Sequence, residues 1–193
     1  INRVQPLSVT AHAVAAFRSA GITSINLDLM YGLPYQTSET IRRTIADILP
    51  LGADRIALFG YAHVPWMKPA QKIIPEDALA GAAERFDQQA LAASLLVEGG
   101  YVQVGLDHFA RPDDPLALSL HGDAVRRNFQ GYTTDGATTL IGFGASSIGR
   151  FEGGYVQNES RIPGWREALA DGRLPVKRGI AFSDDDRLRG EII

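Results

Sequence analysis

Five short strings in this chain combine residue types that can do chemistry. The first is Thr23-Ser-Ile-Asn-Leu-Asp-Leu-Met30, where Ile25, Leu27 and Leu29 alternate with Asn26, Asp28 and Met30. In a strand that alternation puts Asp28 on the face opposite the leucines, pointing inward if the strand belongs to a barrel. A carboxylate there is costly unless paired or bound. It is either an acceptor for a ligand hydroxyl or amine, or a structural group bonded to loop N–H groups. The second string, Tyr61-Ala62-His63, sets a small residue, over which a flat ligand can approach the backbone, beside an imidazole. His63 can carry a proton, ligate a metal or simply pack. In Asp107-His108-Phe109 adjacent side chains point to opposite faces, so the acid and the imidazole meet only if the strand has ended. Arg126-Arg-Asn-Phe-Gln-Gly-Tyr132 mixes guanidinium groups, aromatics and amides. That mixture suits carboxylate or phosphate recognition with stacking on a planar group, or a surface turn pinned by Phe129. Ile141-Gly-Phe-Gly-Ala-Ser-Ser-Ile-Gly149 is glycine-rich but has neither the Lys-Ser/Thr ending of a phosphate loop nor a dinucleotide spacing. A strand end with close backbone approach to a ligand is the more economical reading.

Helices and strands must position these groups. The spacing predicts a helix over 8–20, a strand over 23–30, a helix over 37–49 and a strand over 55–62. A long helix from 75 to about 99 follows, then a strand over 101–109. In the long helix Phe86, Ala90, Ala93 and Val97 supply the apolar face. Alternating helices and strands indicate an α/β fold with a parallel sheet: a (β/α) barrel segment, or alternatively a doubly wound open sheet. Both place ligands at the C-terminal ends of the strands. Beyond 115 the spacing predicts a helix over 115–125, a polar loop over 129–139, a strand over 140–148, a helix over 159–172 and an irregular end. No repeat or linker divides the chain, so one domain is expected.

The 193 residues carry Lys+Arg 19 against Asp+Glu 22, a net charge of −3, which gives no electrostatic case for nucleic acid or an anionic membrane. No apolar stretch in these residues reaches the length of a membrane span, and no signal peptide is expected. Cysteine is absent, so no disulfide, Cys-ligated zinc or Cys-ligated iron–sulfur cluster is held by these residues.

Several strings together resemble one family: Asn2-Arg-Val-Gln-Pro6, Ile25-Asn-Leu-Asp-Leu-Met-Tyr-Gly-Leu-Pro34, Tyr61-Ala-His-Val-Pro65, Gly105-Leu-Asp-His-Phe-Ala-Arg-Pro112, Arg127-Asn-Phe-Gln-Gly-Tyr-Thr-Thr134 and Gly142-Phe-Gly-Ala-Ser-Ser-Ile148. They resemble the oxygen-independent coproporphyrinogen III oxidases, radical S-adenosylmethionine (SAM) enzymes. The resemblance implies the C-terminal part of a partial (β/α) TIM-like barrel, about 1–150, plus an extension, about 151–193. It implies a [4Fe–4S] cluster, two SAM molecules, and a 5′-deoxyadenosyl radical that takes hydrogen from a propionate of coproporphyrinogen III. Two oxidative decarboxylations then give protoporphyrinogen IX, in the cytoplasm, with an electron donor serving the cluster.

The family's Cys-x-x-x-Cys-x-x-Cys motif is expected upstream of the resembled region, so the 193 residues alone are expected to be inactive and prone to self-association. Matching positions imply cofactor contacts by Arg3, Asp28, Ala62, Phe129, Gln130 and Ile148. Arg126 or Arg127 is expected to meet substrate carboxylates. Two other readings remain open at this point. One is a non-catalytic tetrapyrrole- or nucleotide-binding module. The other is a metal-dependent lyase or hydrolase with Asp28, His63 and His108 as ligands.

Overall fold

The computed structural model describes residues 4–192 except 123 and 130. The chain parts into two compact units, residues 1–134 and 135–193, and position 150 lies inside a strand of the second.

The first unit opens with α1 (Leu7–Ser19) and continues through β1 (Asn26–Tyr31), α2 (Ser38–Ile48) and β2 (Arg55–Gly60). Thr37 starts α2 with a capping box: its hydroxyl accepts from Thr40 N–H, and the Thr40 hydroxyl accepts from Thr37 N–H. Ile41, Ile45 and Ile48 recur at helical spacing and are all buried. Strands β1 and β2 are parallel, joined through α2, with Asp28 opposite Ala57 and Met30 opposite Phe59. This is the expected crossover unit.

The sheet then departs from expectation. Residues 101–109 do not form one parallel strand. They fold into a hairpin, β3 (Val102–Val104) and β4 (His108–Ala110), around a turn containing Gly105 at φ 61°. The order is β1-β2-β4-β3, with β4 antiparallel to both neighbours. Gly105 tolerates the left-handed backbone that reverses the chain, and the Tyr132 ring lies against its Cα.

Helix α3 (Ala82–Glu98) begins later than the spacing suggests, because two 3-10 turns, Pro69–Ile73 and Glu76–Ala78, take up the preceding residues. Its buried face is also different. Gln88, Ala92 and Leu96 are fully buried, whereas Phe86 is 71% exposed. Together with Ile56, Leu58, Tyr101 and Phe109, the α2 and α3 stripes form the main core on one face of the sheet. Burying each such side chain contributes roughly 1.5–3 kcal/mol. Burial pushes the Tyr101 hydroxyl up from its ordinary value, and it donates to Ala53 O at 2.7 Å.

Gln88 sits in that apolar face because its amide is fully used. Its Oε1 accepts from Gly32 N–H at 2.9 Å, and its Nε2 donates to Gln36 O at 2.8 Å. One helical turn earlier, Arg85 donates to Tyr61 O at 2.8 Å. A Cβ at Gly32 would lie 2.9 Å from Arg85 Nε, and one at Gly60 would lie 3.1 Å from an Arg85 terminal nitrogen. Both positions therefore admit glycine at unchanged geometry.

A second pair of contacts fixes the opposite end of the sheet. Arg18 on α1 donates to Thr23 O (2.7 Å), Gly52 O (3.0 Å) and Asp54 Oδ2 (2.7 Å). Asp54 also accepts from Ile25 N–H at 2.8 Å. Asp114, which is buried, pairs with Arg55 at 2.9 Å and caps α4 (Pro115–Leu118) through Leu116 N–H. The helix expected over 115–125 is thus one α-turn followed by a 3-10 turn. The arginine-rich segment is a second hairpin, β5 (Arg126–Asn128) and β6 (Gly131–Thr133).

In the second unit, β7 (Ile148–Phe151), β8 (Gly154–Asn158) and β9 (Val176–Ala181) form an antiparallel sheet in that order. The glycine-rich string is a loop rather than a strand, with only Leu140 bridged to Arg150 before β7 begins. Helix α5 (Ile162–Ala170) falls where expected. The end expected to be irregular forms β9 and α6 (Asp184–Ile192), the latter entered through mutual Ser183–Asp186 hydrogen bonds.

Two outcomes test this scaffold. Burial alone would raise the Asp54 carboxyl, but Ile25 N–H and Arg18 together hold it below its ordinary value. A depressed carboxyl stabilises the fold above its unfolded-state pKa of about 4 and loses that contribution as pH falls through the folded-state value. Asp54→Asn should therefore cost about 1–2 kcal/mol in urea unfolding at pH 7, a difference that closes as pH falls through the lowered folded-state value. Gln88→Leu leaves Gly32 N–H and Gln36 O without their buried partners, and thermal unfolding should show a loss of about 2 kcal/mol.

Candidate functional site

The core covers one face of the β1–β2 sheet and leaves the other to the site. Along β1 the exposed positions are Asn26, Asp28 and Met30, while Leu27, Leu29 and Tyr31 pack against the core. Asp28 therefore projects from the face its alternation indicates, although it lies mid-strand rather than at the end. Asn26 Nδ2 donates to Asp28 Oδ1 at 2.7 Å, which orients the carboxylate. Among the described residues its second oxygen has no hydrogen bond, so it remains available to a ligand donor.

Register places Ala57 beside Asp28 and His108 beyond Ala57, on one row of the same face. Neighbouring strands lie about 4.8 Å apart; on that row Ala57 and His108 are themselves buried, and the exposed Asp28 stands at its accessible end. Phe59 and Met30 pair one step nearer the C-terminal ends. Phe59 meets the His108 ring edge-on, with centroids 6.2 Å apart. Asp107 does reach His108, at 2.7 Å from Nδ1, because Asp107 belongs to the hairpin turn and not to the strand. On its other side His108 meets Tyr132 edge-on at 5.3 Å and lies so close to Gly131 that a Cβ there would be 2.6 Å from its ring. Asp28, His63 and His108 are not gathered as a ligand set; among the described residues no three such groups stand together around a metal position.

The loop after β2 begins with buried Tyr61, followed by exposed Ala62 and half-buried His63. Tyr61 Oη and His63 Nδ1 are 3.4 Å apart. Gln71 fixes this segment with both ends of its amide: Oε1 accepts from Val64 N–H at 2.6 Å and Nε2 donates to Ala62 O at 3.0 Å. Phe129, 39% exposed, lies at the β5–β6 turn. Arg127 lays its guanidinium over Tyr132 at 5.2 Å, and Arg126 remains exposed with one terminal nitrogen on Val125 O. Arg3 and Gln130 fall outside the described residues.

Ile148 belongs to the second unit and opens β7. Asn158 organises the loop before it. Its Nδ2 lies within 3.3 Å of Gly142 O, 3.0 Å of Gly144 O and 3.1 Å of Ser147 Oγ. A Cβ at Gly142 would lie 2.8 Å from Ile148 O, so the close approach the glycines suggest is made to the chain's own backbone.

The spacing puts Met30 on the face of Asp28 but does not find Phe59 as a wall of that face, nor Arg85, Gln88 and Gln71 as the groups that fix its loops. For Gln88 a signal existed: an amide at i−4 and i−8 from the buried Ala92 and Leu96 is a polar group on an apolar stripe.

No family model matches the chain. It is 48% identical over all its 193 residues to an oxygen-independent coproporphyrinogen III oxidase of Cereibacter sphaeroides, covering 43% of that protein. It is 49% identical to the enzyme of that name from Bradyrhizobium diazoefficiens, with the same coverage. It is 44% identical over 195 residues to that of Helicobacter pylori, covering 42%. The chain thus spans less than half the length of the curated relatives it matches. Among solved structures it is similar to coproporphyrinogen III oxidase from Escherichia coli, described as a radical SAM enzyme. There the TM-score is 0.88 and the identity 36%, over 100% of this chain and 44% of that one. Over its whole length, the chain is thus similar to one segment of the oxygen-independent coproporphyrinogen III oxidases.

Proposed function

We propose that the protein carrying this chain is a cytoplasmic, SAM-dependent enzyme that oxidatively decarboxylates coproporphyrinogen III without oxygen, for haem biosynthesis. The observation that carries the reading is similarity, along all of this chain, to a segment of enzymes of that name, together with an exposed carboxylate on β1 that suits the cofactor's chemistry. The fit can be tested on the residues themselves. Asp28 offers an oriented carboxylate with one unbonded oxygen, suited to a ribose hydroxyl or an ammonium group. Met30 and Phe59 present apolar surface for a purine face. Ala62 leaves its exposed position open to a flat group.

When bound, SAM reduced at a [4Fe–4S] cluster supplies the hydrogen abstraction. Because this chain has no cysteine, thiolate ligands to such a cluster come from outside these residues. Each propionate loses one hydrogen atom, one electron and CO2, leaving a vinyl group; an electron donor serves the cluster. The chain's own task is to bind and orient. Asp28 accepts hydrogen bonds from the cofactor, the Phe59–Met30 side excludes water from its apolar part, and Arg85 and Gln88 keep the strand-end loops in place. We assign Phe129, and by resemblance Arg3 and Gln130, to the lining of the same centre; Ile148 is assigned a cofactor contact by resemblance alone. A non-catalytic binding module is the less economical reading, since the relatives are named as oxidases.

Anaerobic expression of the encoding open reading frame, followed by assay of SAM-dependent CO2 release from coproporphyrinogen III, tests the reading. Absence of turnover in protein with a reducible cluster would refute it. Asp28→Asn removes a charge-assisted hydrogen bond of about 1.5–3 kcal/mol. SAM affinity by equilibrium dialysis should fall at least about tenfold, with the fold intact because Asp28 is exposed. Unchanged affinity would remove Asp28 from the cofactor's contacts.

A further inference from the structure

The segment that leaves β2 has features the cofactor site does not use. Between His63 and Glu76 the chain makes a detour from the strand's C-terminal end before entering α3. The detour is rigidly held. Gln71 clamps its start, and Tyr35 N–H donates to Ala78 O at 2.8 Å at its close. Yet it displays Trp66 at 75%, Met67 at 70% and Ile73 at 80% exposure. Tyr35 beside its close is a further aromatic, 74% exposed and held at φ 58°. Lys68 and Lys72 stand among these apolar groups, and among the described residues neither ammonium forms an ion pair or hydrogen bond. His63, Pro65, Trp66, Lys72, Ile74 and Glu76 enclose a hollow of about 350 Å³.

A preorganised surface that exposes large apolar side chains around unpaired cations is suited to a ligand that is itself apolar and polyanionic. The substrate named in the proposed function has that character: a tetrapyrrole bearing propionate carboxylates. Its reduced pyrroles also carry N–H donors. The hollow lies at the lower end of the ~300–1,000 Å³ range of small-molecule sites, so it accommodates an edge of the macrocycle rather than the whole.

We propose that the 63–76 detour is the substrate-recognition surface, with Lys72 pairing with a propionate, Trp66 lying against a pyrrole face and Glu76 accepting pyrrole N–H. The assignment rests on the functional reading above and extends it from cofactor to substrate. Lys72 is the specificity-determining cation, with Lys68 adding charge at the rim. The position follows from the fold, because the detour begins at His63, next to Ala62 in the loop that leaves the C-terminal end of β2, and so borders the cofactor face.

The test uses the oxidised, fluorescent analogue coproporphyrin III. The chain has two tryptophans, Trp66 and Trp165. In the Trp165→Phe chain, coproporphyrin III should quench Trp66 emission saturably. Adding Lys72→Glu should weaken binding about tenfold, and Lys72→Arg in its place should restore it. All three changes lie outside the buried core, and circular dichroism verifies the fold. Non-saturating quenching, or equal affinity with Lys72→Glu, overturns the proposal. In the full protein, Lys72→Glu should raise the KM for coproporphyrinogen III about tenfold while SAM affinity stays unchanged. Turnover with an unaltered KM sinks this inference alone. Absence of turnover in the unsubstituted protein sinks the functional reading, and the porphyrin titration then still decides this one.

Discussion

Two side chains one helical turn apart on α3 govern the site. Arg85 and Gln88 reach from the helix to the backbone at the ends of β1 and β2, and their bonds run to main-chain atoms of Gly32, Gln36 and Tyr61. Main-chain targets make the arrangement insensitive to the identity of neighbouring side chains but strict about backbone position. That strictness explains the glycines at 32 and 60, where a β-carbon would meet the arginine. It also ties the packing of α3 to the geometry of the loops, because a fully buried amide cannot lose its partners without a desolvation penalty. Core stability and site geometry are therefore properties of the same contacts.

The sheet divides its two faces between these tasks. On one, isoleucines and leucines of α2 and α3 close over Leu27, Leu29, Ile56 and Leu58. On the other, the row through Asp28, Ala57 and His108 alternates a carboxylate, a methyl and an imidazole. Parallel pairing of β1 with β2 keeps their C-terminal ends side by side, so the loops carrying Gly32 and Ala62 leave from one edge. The hairpin of β3 and β4 adds the histidine from the antiparallel direction, with its acid partner supplied by the turn.

Much of this was legible in the chain itself. Alternation over 23–30 distinguished the open from the covered face of β1, and the isoleucine spacing identified α2. The hairpin was not legible, because apolar residues run through 101–110 on both sides of a single glycine and mimic one strand. The α3 face was misread for a related reason: Phe86 and Val97 look like core, but the neighbours available to the helix are loop amides, which select Gln88 instead. Within the site, Asp28 and Ala62 were accessible through motif resemblance. The groups that hold them were not, since Arg85 and Gln88 act on residues more than twenty positions away and no local spacing encodes such a pairing. Strand β9 was missed because its partner in β8 lies beyond an intervening helix, and its own sequence alternates little.

That last strand carries one more consequence. Every residue of β9 is exposed, and among the described residues it pairs only with β8. A free ladder invites a foreign chain to add itself in register. Here Lys177 and Arg178 are fastened to Glu159 and Gln157. An incoming polypeptide would have to displace those tethered cations and bring them under its own backbone. The border of the small sheet thus works as a guard against runaway polymerisation, a safeguard built from two tethered charges.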